Sequence, residues 1–486
     1  MTSTVLLSGL LAWTWLAGVS KAEGPLPFPD WGGQAANLMA KFYLWDAQQN
    51  EGWGRSDAKT SGGLGWGEGP FLMNYILAYR ALPDTYWLDK VIAHFDRMVD
   101  NLSDPDGDGF WGWRDVRYLV GIVRARPRAK AEGATLEPPE QRPYVIRGGD
   151  RVTGHTYRLT FTTPDTFRLL DLTTGEVLAE NVPYQEGKPF TLIPGAKFTL
   201  RGHPVSGTTF EIETVQPQEI EYVVHDGMVT YPIAQFIEIA LTDETLPEQY
   251  RAKAEEYLQL LDRHFRQKWE RYWVDLPNGA GAYTFTGNPT ERFPGYLLPH
   301  NQYLALGRTW LVLQAVPGVP QREVYRDRAA KMARYFKRHL RLNGEAYLWN
   351  YWDPRPGENI RRHPEDVSHA TIDIGFAVEA CQRGIVFTPQ DLRRFARTFT
   401  EVMWNGSWEN PLFGRNVSTN EGGKRAFWEW AKLSLWDERV WQVAQAAFLK
   451  MGQPPNLTPT LLYLLAKRKG IPPSEKERWL QLRKKQ

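Results

Sequence analysis

Three observations predict a mainly α protein: an (α/α)6 toroid, a six-hairpin barrel, with an inserted small β-sandwich-like domain. Apolar side chains recur at helical spacing in twelve separate stretches. A central block of about one hundred residues alternates with period two instead. Chemically loaded polar clusters stand ahead of five of the six alternate helical stretches.

The clearest helical stripe runs from Pro247 to Trp273. Tyr250, Ala254, Tyr257, Leu258, Leu261, Phe265 and Trp269 fall three and four residues apart and paint one face. Similar stripes read at 34–49, 68–82, 86–101, 229–241, 302–315, 321–341, 368–384, 389–403, 426–436, 438–451 and 458–468. Twelve helices in consecutive pairs make six hairpins, which a closed ring accommodates better than a bundle. Within residues 118–222, Tyr157, Leu159 and Phe161, then Phe190 and Leu192, Phe198 and Leu200, and Phe210 and Ile212 alternate with polar neighbours as half-buried strands do. Thr174-Gly175, Glu186-Gly187 and Pro194-Gly195 supply turns between them. Residues 23–117 and 223–470 are thus expected to form the helical domain and 118–222 the inserted β domain, with 471–486 a basic tail.

The 486 residues, 42% apolar, suffice for a large globular domain with an insert. Fifty-eight basic side chains nearly balance 56 acidic ones, and no like-charge run is longer than three residues, as at the terminal Arg483-Lys484-Lys485, so no nucleic-acid groove is indicated. An apolar stretch from Val5 to Val19 precedes Ser20-Lys21-Ala22, which has the small-x-small form of a signal-peptidase site. Residues 1–22 therefore read as a signal peptide, and the protein as secreted or periplasmic with no stable membrane span after cleavage. A single cysteine, Cys381, precludes an intramolecular disulfide.

The segments leading into alternate helices are Gly65-Trp66-Gly67-Glu68-Gly69, His225-Asp226-Gly227, Pro299-His300-Asn301-Gln302, His363 to His369, and Gly422 to Trp428. In a ring these starts converge on one mouth, where helix dipoles and free N–H groups favour an anion. At these segments, over roughly Trp31 to Arg468 without the β block, the chain resembles the six-hairpin carbohydrate-active proteins. That group includes uronate-specific polysaccharide lyases, unsaturated glucuronyl hydrolases and glucuronyl C5-epimerases. The resemblance rests on Gly65-Trp-Gly-Glu-Gly, His225-Asp-Gly-Met, Leu298-Pro-His-Asn-Gln and Glu365-Asp-Val-Ser-His-Ala. It implies the fold and a glycan substrate, and it carries over no residue's role.

Within the glycan-active class that the resemblance implies, a polysaccharide lyase acting by β-elimination on an anionic, uronic-acid-containing polymer stands narrowly ahead of a glycoside hydrolase. The elimination must neutralise the substrate carboxylate while a base removes the neighbouring proton. Asn301 and His300 are the candidates for neutralisation, and His369, His225 or Tyr351 for the base. Glu365 and Asp366 share a helix start with His369, a pairing that sets one pKa against another, and Asp373 lies one turn on. Glu68 against Glu365 or Asp366 offers the alternative of a glycoside hydrolase with paired carboxylates. A C5-epimerase and a non-catalytic glycan-binding surface protein are further alternatives. Trp66, Trp349, Trp352, Trp404, Trp408, Trp428 and Trp430 present flat faces for sugar rings, while Lys424, Arg425, Arg361 and Arg362 present cations. Glu68, Trp66, Arg362, Lys424, Arg425 and Trp428 are the expected substrate contacts. Asp104, Asp106, Asp108 and Asp115 follow the spacing of a calcium loop, with Asp where the last position usually carries Glu. A structural calcium is the expected ion, and the chemistry needs no cofactor. No zinc spacing, phosphate loop, Gly-x-Ser-x-Gly elbow or dinucleotide fingerprint occurs.

Overall fold

The computed structural model describes residues 27–140, 144–147, 152–193, 196–424 and 428–485. The expected signal peptide and the turn at Pro194-Gly195 lie outside the described residues. Helix α1 spans Ala35–Gln48. The short α2, Ser61–Gly63, passes through a π turn, Leu64–Glu68, into α3, Gly69–Ala81. Helix α4, Tyr86–Val99, buries Trp87, Leu88, Val91, Phe95 and Met98 along one face, as its periodicity requires.

Nine strands follow. They are β1 Val120–Ala129, β2 Ala134–Glu137, β3 Tyr144–Arg147, β4 Thr156–Thr163, β5 Thr166–Asp171, β6 Val177–Pro183, β7 Pro189–Ile193, β8 Ala196–Gly202 and β9 Thr209–Val215. They pair antiparallel as a six-stranded sheet in the order β3-β1-β9-β4-β5-β6 and a three-stranded sheet in the order β2-β8-β7. Alternation delivers Tyr157, Leu159, Phe161, Phe167, Phe198, Leu200, Phe210 and Ile212 to one core, separate from that of the helices.

Helix α5, Val223–Thr242, and α6, Glu248–Leu261, come next, and α6 runs through a π turn, Asp262–Gln267, into α7, Lys268–Glu270. A hairpin of β10, Trp273–Leu276, and β11, Ala280–Tyr283, precedes α8, His300–Leu313, and α9, Arg322–Lys337. A second hairpin, β12 Arg341–Asn343 with β13 Ala346–Leu348, precedes α10, Ala370–Gln382, and α11, Pro389–Arg397, which ends in a π turn, Thr398–Met403. The last helices are α12 Trp428–Ala431, α13 Glu438–Lys450, α14 Thr458–Arg468 and α15 Pro473–Lys484.

The expected (α/α)6 toroid is corrected by this architecture. The chain is a mixed α and β fold with antiparallel sheets of six, three, two and two strands among the described residues. The twelve expected helices do not all form. The stripe at 426–436 holds only the four-residue α12 and a 3-10 turn, Lys432–Leu435, and the stripe at 321–341 ends early and turns into β12. Apolar periodicity records which face is buried; it does not record whether the backbone stays α, tightens or extends while burying it. The C-terminal segment, expected as a basic tail, contains α15, which packs on α1 and stacks the buried Trp479 on Trp87 at 5.8 Å between ring centroids.

Helix α5 packs against α3 and α8, and α8 against α10. The α5–α8 contact is close because Gly227 has no side chain: a Cβ there would fall within the backbone of Ala305 and Leu306. Gly227→Ala is expected to lower stability by about 1–3 kcal/mol through overpacking, read as a lower urea midpoint with an unchanged slope.

Candidate functional site

The N-terminal ends of several elements open onto one cleft of about 350 Å³. Its wall includes Trp66 from the π turn before α3, Tyr222 and Val224 at the start of α5, Asn301 and Gln302 in the first turn of α8, and His369 at the N-cap of α10. Tyr351 and Trp352 from the loop after β13, Arg117 and Tyr118 ahead of β1, and the buried Glu291 with Arg292 and Phe293 ahead of α8 also line it. Glycine brings the first two elements together: a Cβ on Gly65 would sit 2.9 Å from the Cα of His225, and one on Gly69 would sit 2.7 Å from the carbonyl oxygen of Met228. A π turn at such a place re-aims side chains, and here it turns Trp66 into the cleft.

Asn301 is 2% exposed, and its amide makes no hydrogen bond to any described residue; Oδ1 is buried without a partner. A buried amide without a protein partner is free to meet a ligand at the cleft wall. His369 has a side chain 45% exposed, with Nδ1 3.7 Å from Glu365 Oε1. The Tyr351 ring lies 5.4 Å from the His369 ring, and its hydroxyl accepts from Gln302 Nε2 at 3.4 Å. Burial raises the Tyr351 hydroxyl well above its usual range, so it stays protonated.

His225 lies directly behind the wall. Its Nδ1 is 2.7 Å from Ser61 Oγ and its Nε2 is 3.3 Å from Tyr118 Oη. Burial, aided by the Arg117 charge, holds this imidazole down at about 3, so it is neutral at physiological pH. Trp66 Nε1 donates to Tyr118 Oη at 2.8 Å. Tyr118, 40% exposed as a residue, therefore has an indole donor and a neutral imidazole at its partly buried hydroxyl. Its own burial raises its pKa, and the Trp66 bond and the Arg117 charge oppose that rise. Arg117 and Arg292 are exposed and make no ion pair with described residues, leaving two cations on the rim.

Glu365 is wholly buried beneath His369. Burial pushes its carboxyl from the ordinary 4.5 up to about 8, while Asp373 and the Asp366 N–H pull the other way. Asp373, which accepts from Trp349 Nε1 at 2.8 Å, is also driven up, by burial and by Glu365. The sign follows from the raised folded-state pKa. The folded state holds a proton that the unfolded chain releases near 4.5, so this contribution to stability is whole below about 4.5 and is lost as pH rises through about 8. Glu365→Gln is expected to flatten the fall in urea midpoint between about pH 5 and about pH 9.

The remaining predicted residues lie elsewhere. His300, buried next to Asn301, is bonded to Tyr303 Oη at 2.6 Å and Asp353 at 3.1 Å and does not line the cleft. Asp366 accepts from the Ser368 N–H at 2.8 Å, as a helix-start cap does. Glu68 is fully buried, with Oε2 accepting from the Arg55 N–H at 2.5 Å and Oε1 2.6 Å from His94 Nδ1, so it braces the turn and faces no substrate. Arg362 pairs with Asp353 at 3.0 Å. Lys424 bridges backbone with Phe413, and Trp428, 38% exposed, opens α12; neither lines the cleft. Arg425 lies outside the described residues. Trp349 and Trp430 are core, whereas Trp66 and Trp352 reach the cleft.

Of the calcium set, Asp104, Asp106 and Asp108 converge, with oxygens within 4.8 Å of one another. Asp115 is not among them, because it accepts from the Gly62 N–H at 3.1 Å and the Arg117 N–H at 2.9 Å. Arg114 lies 2.8 Å from Asp106 and Arg271 2.6 Å from Asp108, while Asp104 accepts from the Asp108 and Gly109 N–H groups. Guanidinium groups and backbone donors already take up these oxygens, so the residues fit a calcium ion poorly.

Sequence reasoning missed Arg117, Tyr118, Arg292 and Phe293, which belong to the segments flanking the β block and carry no helical periodicity to point to them.

No family model matches the chain, and no curated protein matches it. Among solved structures it is similar to FlgL of Xanthomonas campestris, with 15% identity over 49% of this chain and 85% of that one and a TM-score of 0.15. It is also similar to the flagellar junction protein FlgL from Legionella pneumophila, with 13% identity over 48% and 77% and a TM-score of 0.17. At such scores the likeness carries no structural argument.

Proposed function

We propose that the protein is a polysaccharide lyase that cleaves a uronic-acid-containing glycan by β-elimination in this cleft. The observation that carries the reading is the meeting of an unpartnered buried amide, Asn301, with an accessible imidazole, His369, and two protonated tyrosines, Tyr118 and Tyr351, under the rim cations Arg117 and Arg292. Asn301 donates to the substrate carboxylate and, with the rim arginines, holds the charge that grows as the C5 proton leaves. His369 takes that proton. The C4–O bond breaks, a C4=C5 double bond forms, and Tyr118 gives its proton to the departing oxygen. Solvent then returns a proton to Tyr118 and accepts the one on His369. Trp66, Phe293 and Trp352 supply apolar faces for the sugar rings.

The glycosidase alternative is unsupported, because Glu68 is sealed away and Glu365 is buried and protonated. The proposed setting is secreted or periplasmic, on the strength of the apolar N-terminal stretch; no described helix is long and apolar enough to cross a membrane. The test is incubation with a panel of uronic-acid polymers, followed by absorbance in the band of unsaturated uronates. A rise with at least one polymer is expected. New reducing ends without that absorbance would overturn the elimination reading.

A further inference from the structure

A second cluster stands behind the cleft wall, outside the reacting groups. His300 opens α8, His339 follows α9, and Asp353 lies in the loop after β13, so the three come from separate elements. One ligand atom from each lies within 4.8 Å of the other two. From this convergence we infer a metal site: His300, His339 and Asp353 bind one first-row transition-metal ion, with zinc the expected occupant.

The proton positions favour it. His339 Nδ1 is 2.8 Å from the carbonyl oxygen of Tyr335, which only accepts, so Nδ1 carries the hydrogen and Nε2 a lone pair. That lone pair has no hydrogen-bond partner among the described residues. An imidazole that donates one nitrogen to a carbonyl and offers the other is the usual arrangement of a metal-bound histidine.

Asp353 is likewise arranged. Its Oδ1 accepts from Asn350 Nδ2 at 3.1 Å and pairs with Arg362 Nε at 3.0 Å, which orients the carboxylate and leaves Oδ2 facing His300 Nε2 at 3.1 Å. Ligands around a tetrahedral zinc at its usual bond lengths stand ~3.3 Å apart, close to that separation. Tyr303 Oη, 2.6 Å from His300 Nδ1, accepts that nitrogen's hydrogen once Nε2 turns to a metal. Two imidazoles and a carboxylate suit zinc and its neighbours rather than calcium or magnesium. The half-buried His339 gives the ion its way in. Such an ion would brace the start of α8, and hence Asn301, whatever reaction the cleft performs.

The full chain, stripped with a chelator, is loaded with zinc chloride, desalted and analysed by elemental mass spectrometry and thermal melting. One zinc per chain and a rise in Tm are expected. His339→Ala and the milder His339→Gln should each weaken retention by more than ~100-fold, beyond the 10–100-fold that loss of an outer partner costs. Asp106→Asn, in the separate acidic loop, should leave the stoichiometry at one. Failure to retain zinc, or retention that survives both His339 variants, would show that the cluster is only a hydrogen-bonded histidine–aspartate pair.

Discussion

His369→Ala is expected to reduce turnover of the responsive polymer by about 10²–10⁴-fold, the range that a positioned general base supplies, with Tm nearly unchanged. The two halves of that expectation have separate grounds. The imidazole faces the cleft with 45% of its side chain exposed, and Glu365 Oε1 stands 3.7 Å from Nδ1, too far for a hydrogen bond. Truncation therefore removes little packing. A variant that melted like the parent and kept full activity would take His369 out of the reaction. The carboxyl beneath it makes a second readout available: with Glu365 protonated up to about pH 8, His369 has no ionised partner under it near neutrality. Glu365→Gln should therefore leave the pH profile of activity in place below about pH 8.

Asn301→Ala should cost about 10²–10³ in kcat, the loss seen when one prearranged donor to a developing negative charge is removed, with a smaller change in KM. The asymmetry separates a donor that strengthens in the transition state from one that merely binds. The stability change should be small, because Oδ1 is already a buried acceptor without a partner and deleting it removes an unfavourable group. A rise in KM at constant kcat would recast Asn301 as a binding residue.

The helices and strands were legible in the sequence to the extent that they bury a face. Tyr250, Tyr257 and Trp269 are buried as their spacing demands, and the alternation of Tyr157, Leu159 and Phe161 is realised in β4. The assembly of these elements into six regular hairpins was not legible, because α12 is only four residues long and the hairpins β10–β11 and β12–β13 take up chain that periodicity alone assigns to loops or helix ends. At the site, Asn301, His369, Tyr351 and Trp66 stand out in sequence because polar or aromatic residues interrupt glycine- and proline-marked helix starts. Glu68 looked equally reactive there. Only coordinates show that His94 and the Arg55 amide hold it inward. Tyr118 and Arg117 carry no pattern; their value comes from packing against His225, 107 residues away from Tyr118 along the chain.

Cleavage in water enriched in heavy oxygen, followed by mass spectrometry of the products, tests the central claim most directly. Elimination breaks the C4–O bond without adding water, so the account predicts unsaturated products that contain no heavy oxygen. Saturated products carrying one heavy oxygen at each new reducing end would contradict it.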